Sequence, residues 1–138
     1  MTPAGPAKKP RAESWNAEAH RRQVLERAGM PLAENVTRRW GPWGKFKHDL
    51  LGFGDLIVFD RKTGLWLEQI TVRSHLAAHI TSALANEKLR PKWLDLGFRA
   101  RIVCYADPKG RKAGDFTPRL LEVAAMPSSP GLRLLEPA

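Results

Sequence analysis

Residues 49–74 read DLLGFGDLIVFDRKTGLWLEQITVRS. Two strand-like runs, Gly54–Phe59 and Leu65–Thr71, flank the polar segment DRKTG, which has the residues and terminal glycine of a hairpin loop. With the turn centred on Lys62, Phe59 opposes Leu65, Ile57 opposes Leu67 and Asp55 opposes Gln69. Strand alternation places these residues on one face, with opposed Cβ atoms about 4.5–5.5 Å apart. Asp55 and Gln69 therefore meet at the open end of an apolar hairpin, with Thr71 one pleat further on. The other face carries Leu56, Val58, Trp66 and Ile70, so the hairpin is expected to be buried on both sides. A carboxylate in such surroundings needs a partner or it tends to be protonated. Two oxygen-bearing side chains at this separation, with the Ile70 carbonyl nearby, suit a hard divalent cation such as Mg²⁺ or Mn²⁺. Capping of the strand start by Asp55 is the competing reading. Glu68 falls on the opposite face in this register, unless a bulge shifts the strand.

Outward from the hairpin, Ser14 reads as an N-cap for the helix WNAEAHRRQVLERAG, with Gly29 at its C-terminal cap. MPLAENVTRRW reads as a first strand ending near Trp40, and GPWGKFKHDLLGFG as a loop. Ser74 to about Lys88 reads as a second helix with Leu76, Ile80 and Leu84 on one face. RPKWLDLGF reads as a helical turn, RARIVCYA as a strand and RLLEVAAM as a last strand. The order predicts an α/β or α+β domain, a mixed central sheet flanked by helices. Residues 1–13 are expected to be a flexible basic arm, 14–126 the folded domain and 127–138 an irregular tail.

The chain has 138 residues, with 23 Lys+Arg against 14 Asp+Glu and a formal charge of +9. That excess points to an anionic partner, nucleic acid first. One cysteine, Cys104, excludes an internal disulfide and fits a reducing cytosol. Cys104 itself reads as inert core. No apolar run approaches the ~20 residues of a membrane span. Arg38, Arg39, Lys45, Lys47 and His48 precede Asp55 and would border its cleft, interleaved with Trp40, Trp43 and Phe46, which read as packing anchors. Lys109, Arg111 and Lys112 form a second basic patch. His75 and His79 are four apart on the second helix, but no further ligand pattern accompanies them, so they read as surface or DNA-facing residues.

The succession helix, strand, Asp-led hairpin with a polar motif in its second strand, then helix, resembles the PD-(D/E)XK nuclease superfamily. Within it the chain is similar to small Holliday-junction resolvases and to phage-encoded nuclease-like proteins that carry DLFGF-D followed by QVT or QTT. Here the residues are DLLGFGD and QIT, and the resemblance spans about Glu18 to Tyr105. It implies a restriction-endonuclease-like core and a Mg²⁺-dependent endodeoxyribonuclease acting on branched DNA. It also implies a homodimer in the cytoplasm, the host's if the chain is phage-encoded. Asp55 then matches the metal-binding aspartate, Gln69 the usual Glu or Asp, Thr71 the usual lysine, and Glu18 the first-helix glutamate. Gln69 removes a negative charge from this pattern and Thr71 a positive one. Glu68 or Asp49 is a substitute carboxylate, and Lys47 or Arg73 a substitute cation. A non-catalytic DNA-binding protein on the same fold is the alternative.

Overall fold

The hairpin forms in the expected register. In the computed structural model, β4 (Leu56–Asp60) and β5 (Gly64–Val72) pair antiparallel, with Ile57 opposite Leu67 and Phe59 opposite Leu65. The turn is fixed by Asp60, whose Oδ1 accepts from the N–H groups of Lys62 (2.8 Å) and Thr63 (3.2 Å). Gly64 closes it at φ 100°, a conformation that disfavours a side chain. The Lys62 N–H, ahead of the other contacts, holds the Asp60 carboxyl below its usual range. The structure describes residues 15–34, 37–41, 44–48, 50–108 and 116–136.

Around this hairpin the described residues form an α+β fold with a mixed six-stranded sheet, ordered β1-β4-β5-β6-β7-β8. Its other strands are β1 (Leu32–Glu34), β6 (Arg99–Tyr105), β7 (Arg119–Ala125) and β8 (Leu132–Leu135). Only β5 and β6 run parallel; the remaining neighbours are antiparallel. A parallel pair needs a crossover, and α2 (Arg73–Leu84) with the short α3 (Leu89–Lys92) and a 3-10 turn at Leu94–Leu96 supplies it. β2 (Thr37–Gly41) and β3 (Gly44–His48) make a separate two-stranded sheet.

The sheet is covered on both faces. One core, on the α2 side, gathers Phe53, Leu67, Leu76, Leu89, Ile102 and Leu121. The other, on the side of α1 (Ala17–Arg27), gathers Leu25, Leu56, Val58, Trp66, Ile70 and Val103. Full burial of Leu56 and Leu67 contributes about 1.5–3 kcal/mol each.

Helix α1 is capped by Asn16, not Ser14: the Asn16 side chain accepts from the Ala19 N–H at 2.9 Å. At its other end Gly29 adopts φ 74°. There Gly29 N–H donates to Glu26 O and Met30 N–H to Leu25 O, the paired bonds of a Schellman motif. Met30 and Leu25 pack in the same core, completing the motif.

Four expectations are corrected. The first strand is split: Leu32–Glu34 joins β4, whereas Thr37–Gly41 finds its partner in Gly44–His48. The segment expected to be a loop before Asp55 thus contains a strand. On α2, Leu76 and Ala83 are buried while Leu84 is exposed, because eight residues at 3.6 per turn overshoot the stripe by about 80°. The tail is not irregular throughout, since β8 pairs with β7. The arm at 1–13, Ser14, Asp49, Lys109, Arg111 and Lys112 lie outside the described residues. Among the described residues no helix is long and apolar enough to cross a membrane.

Candidate functional site

The approach to Asp55 is built by the turn Leu50–Gly54. Leu51 (φ 57°) and Gly52 (φ 68°) are both left-handed, and Phe53 N–H returns to Leu50 O at 2.9 Å. The left-handed region is uncommon for leucine and costs about 1–2 kcal/mol. The turn is anchored by Asn86, whose Nδ2 donates to Leu51 O at 2.8 Å, and by Phe53, which is buried in the α2-side core. Gly54 lies so close over Leu67 that an added Cβ would overlap that side chain.

This turn delivers Asp55 against β5. Asp55 N–H donates to Glu68 O at 2.7 Å. Its Oδ2 accepts from Gln69 Nε2 at 3.0 Å and from Ile70 N–H at 2.9 Å. Asp55 is 7% exposed and Gln69 8%. The expected Asp55–Gln69 meeting therefore exists as a direct hydrogen bond. The amide accounts for the contact: a carboxylate at Gln69 would repel Asp55, whereas an N–H₂ donor stabilises it.

Thr71 is buried two residues beyond Gln69, on the same face, and its Oγ1 lies 3.4 Å from Val72 O. Arg73, the first residue of α2, is exposed. Its neighbour Ser74 donates from N and Oγ to Asp107 Oδ1 at 3.2 and 2.8 Å. Asp107 thereby supplies the cap that Val72 cannot. Arg38, Arg39, Lys45 and Lys47 all stand on the β2–β3 ribbon.

Glu68 is committed elsewhere. It is fully buried on the α1 face, opposite Gln69. Arg21 of α1 grips it with two bonds, Nε to Oε1 at 2.9 Å and Nη2 to Oε2 at 2.8 Å. Arg101 of β6 donates from Nε to Oε2 at 2.8 Å, and its Nη2 makes an ion-pair contact with the same oxygen at 2.7 Å. Burial alone would push this carboxyl up; the hydrogen bonds and charges of the two arginines outweigh it and hold the pKa below the usual range. The bulge that would bring Glu68 beside Asp55 is absent, so the expectation of Glu68 as a substitute site carboxylate is corrected. Arg101 and Arg99 also lie over the Trp66 ring, at 4.1 and 4.3 Å. Arg21 has a signal in the sequence that was missed: Ala17, Arg21 and Leu25 form one helical stripe spaced by four. Glu18, in the first turn of α1, pairs with Arg22 at 3.7 Å.

Among the described residues no three His, Cys, Asp or Glu side chains gather as a metal site. His75 is exposed and His79 half-buried on α2. Cys104 is buried in the α2-side core, where desolvation pushes its thiol up and keeps it a poor nucleophile.

The donors around Asp55 still have the chemistry for a hard cation. Ile70 N–H points at Asp55, and in an extended strand the carbonyl of the same residue points to the same side. β4 begins at Leu56, opposite Glu68, so beyond that rung the Ile70 edge of β5 has no β4 partner strand. Asp55, the Gln69 amide oxygen and the Ile70 carbonyl are all oxygen donors with one negative charge between them. Mg²⁺ is held this way at sites where one or two carboxylates are completed by water and substrate phosphate. A scan of protein-family models gives no match to the chain, and neither curated proteins nor solved structures give a significant one.

Proposed function

We propose that the chain is a Mg²⁺-dependent endodeoxyribonuclease on a PD-(D/E)XK-like core, acting on branched DNA such as a four-way junction. The observation that carries this reading is Asp55 held at the start of β4 in hydrogen-bonded contact with Gln69 of β5. The setting supports it: a helix, an antiparallel three-strand run β1-β4-β5, a crossover helix and the parallel strand β6. The net charge of +9 supports a polyanionic substrate.

In this reading Asp55, the Gln69 Oε1 and the Ile70 carbonyl would hold the ion. Mg²⁺, when bound, polarises the phosphate and lowers the pKa of a coordinated water. The chain's own contribution is positional. The Ile70 N–H and Gln69 Nε2 fix the rotamer of Asp55, and the strained Leu51–Gly52 turn fixes its backbone. With one carboxylate in the described donor set, the remaining charge on the ion would have to be met by the substrate phosphate. Arg73 or Lys47 supplies the cation that Thr71 does not. Symmetrical incision of a junction requires two copies, so the working form is a two-fold dimer.

A second reading has its own observation. Gln69 spends its N–H on Asp55 and Thr71 carries no charge, which suits a non-catalytic DNA-binding protein on the same scaffold. Labelled four-way junction and linear duplex, incubated with protein in Mg²⁺ or in EDTA, separate the two. The nuclease reading expects Mg²⁺-dependent products from the junction. Binding of both DNAs without product in Mg²⁺ or Mn²⁺ selects the second reading.

A further inference from the structure

Among the described residues, Leu51 is the non-glycine held at positive φ, 57°, and it lies just ahead of Asp55. Glycine would adopt that conformation without a steric cost. Leucine instead packs, with Leu50, against the α2-side core. Backbone strain of this kind persists only where the surroundings over-determine it, and it gathers at functional sites. Asn86 supplies such a constraint. It follows Ala85, the C-terminal cap of α2, and its own N–H donates to Ala83 O at 3.2 Å. Its Oδ1 accepts from the N–H groups of Lys88 (2.9 Å) and Leu89 (3.2 Å), where α3 starts, and Leu89 is fully buried. The other half of the amide, Nδ2, donates to Leu51 O at 2.8 Å. A Cβ on Gly52 would lie 3.9 Å from the same nitrogen, so the amide runs along the turn. One side chain thus joins the end of α2, the start of α3 and the strained turn.

We propose that Asn86 is a positioning residue: its bond to Leu51 O holds the left-handed turn and so keeps the Asp55 carboxylate at the Ile70 N–H, where it would meet the metal. The inference rests on the metal-dependent reading above and adds to it a residue that touches neither metal nor DNA. The path is short. Leu51 leads through Gly52 and the buried Phe53 to Gly54. Gly54 N–H returns to Leu50 O at 3.2 Å, and its Cα sits close against Leu67. Asp55 follows, its N–H on Glu68 O and its Oδ2 on Ile70 N–H. A turn released at Leu51 moves the backbone from which the Asp55 side chain departs, and the Oδ2 contact with Ile70 loosens. The energies allow this. The strain of one left-handed leucine and the net worth of one hydrogen bond are of the same order, so losing the bond shifts the balance at the turn without unfolding the sheet.

Asn86→Ser and Asn86→Asp test it in the full chain. Both keep a cap acceptor for the α3 N–H groups and lose the amide donor to Leu51 O. The first readout needs neither DNA nor metal. It is amide hydrogen exchange at Ile70, whose N–H is covered by the Asp55 side chain, with Val103 of β6, between β5 and β7, as the reference. The proposal expects Ile70 to exchange about two- to tenfold faster in both variants, the worth of one hydrogen bond, while Val103 and the urea midpoint hold. The Mg²⁺ concentration for half-maximal junction cleavage is expected to rise by a similar factor. Leu51→Gly removes the strain, so Asn86→Ser is expected to speed Ile70 exchange less in that background than in the wild type. Unchanged Ile70 exchange, or Ile70 and Val103 speeding together, overturns the proposal. So does an equal effect in the Leu51→Gly background, or an effect from Asn86→Asp alone, which is one of charge. Failure of both variants to fold makes Asn86 a structural residue and overturns it as well. A wild type that cuts no DNA overturns the nuclease reading instead, and Ile70 exchange then still decides whether Asn86 positions Asp55.

Discussion

Glu68 and Gln69 are adjacent in sequence and have opposite tasks because a strand turns successive side chains to opposite faces. Gln69 meets Asp55 on the α2 side, and Glu68 meets Arg21 and Arg101 on the α1 side. Removing the charge at Glu68 leaves the buried Arg21 guanidinium and the part-buried Arg101 guanidinium without their anion. Glu68→Gln is therefore expected to cost about 3–5 kcal/mol, measured by urea denaturation. The same triad sets a pH dependence. Glu68 has a folded pKa below its unfolded value of about 4.3, so its contribution is full above that value and is lost as pH falls through the folded pKa. The wild-type urea midpoint is expected to drop steeply below about pH 4, and that of Glu68→Gln to drop less. The Asp55–Gln69 contact was legible because a hairpin turn fixes which residues oppose each other, once its centre is located. Arg21 was not, because a charged residue within AEAHRRQVLER looks solvent-facing until the anion across from it is known to be buried. The clue was Glu68 itself, which was expected on an apolar face without a partner.

Element by element, the β4–β5 hairpin, α1, α2 and β6 were readable from strand alternation, helical stripes and cap residues. β3 and β8 were not, nor was the pairing of β3 with β2. Both lie beside clusters that signal loops, GPWG and PSSPG, and a turn cluster between short strands is also what a hairpin contains. Such a cluster reads equally well as an end to regular structure. Two glycines test how the elements are joined. Gly54→Ala places a methyl group into Leu67, and overpacking of this kind costs about 1–3 kcal/mol. Gly29→Ala meets open space, so its cost is the left-handed backbone alone, about 1–2 kcal/mol. Thermal unfolding of the two variants is expected to show both losses. Because the first clash lies beside Asp55 and the second at the far end of α1, Gly54→Ala is also expected to impair any DNA cleavage, and Gly29→Ala to spare it.

At the scale of the whole molecule, the α+β class followed from the order of helices and strands, and the mixed sheet from the crossover between β5 and β6. The charge of +9 sets a general expectation: DNA affinity falls linearly on a log–log plot as salt rises, because bound cations release counterions from phosphate. Filter binding at several salt concentrations measures the slope. The central claim is narrower, that Asp55 holds a catalytic metal on DNA. Its most direct measurement is cleavage of a labelled four-way junction in Mg²⁺ by the wild type and by Asp55→Asn, with binding of each measured in Ca²⁺. Asn keeps an acceptor oxygen toward the Ile70 N–H but gives up the charge that attracts the ion and repels phosphate. The account predicts that the wild type cuts, that EDTA stops it, and that Asp55→Asn loses about a thousandfold or more in rate while binding the junction as tightly or more tightly. A wild type that binds junctions but cuts no DNA in Mg²⁺ or Mn²⁺, or an Asp55→Asn variant that cuts as fast as the wild type, contradicts it.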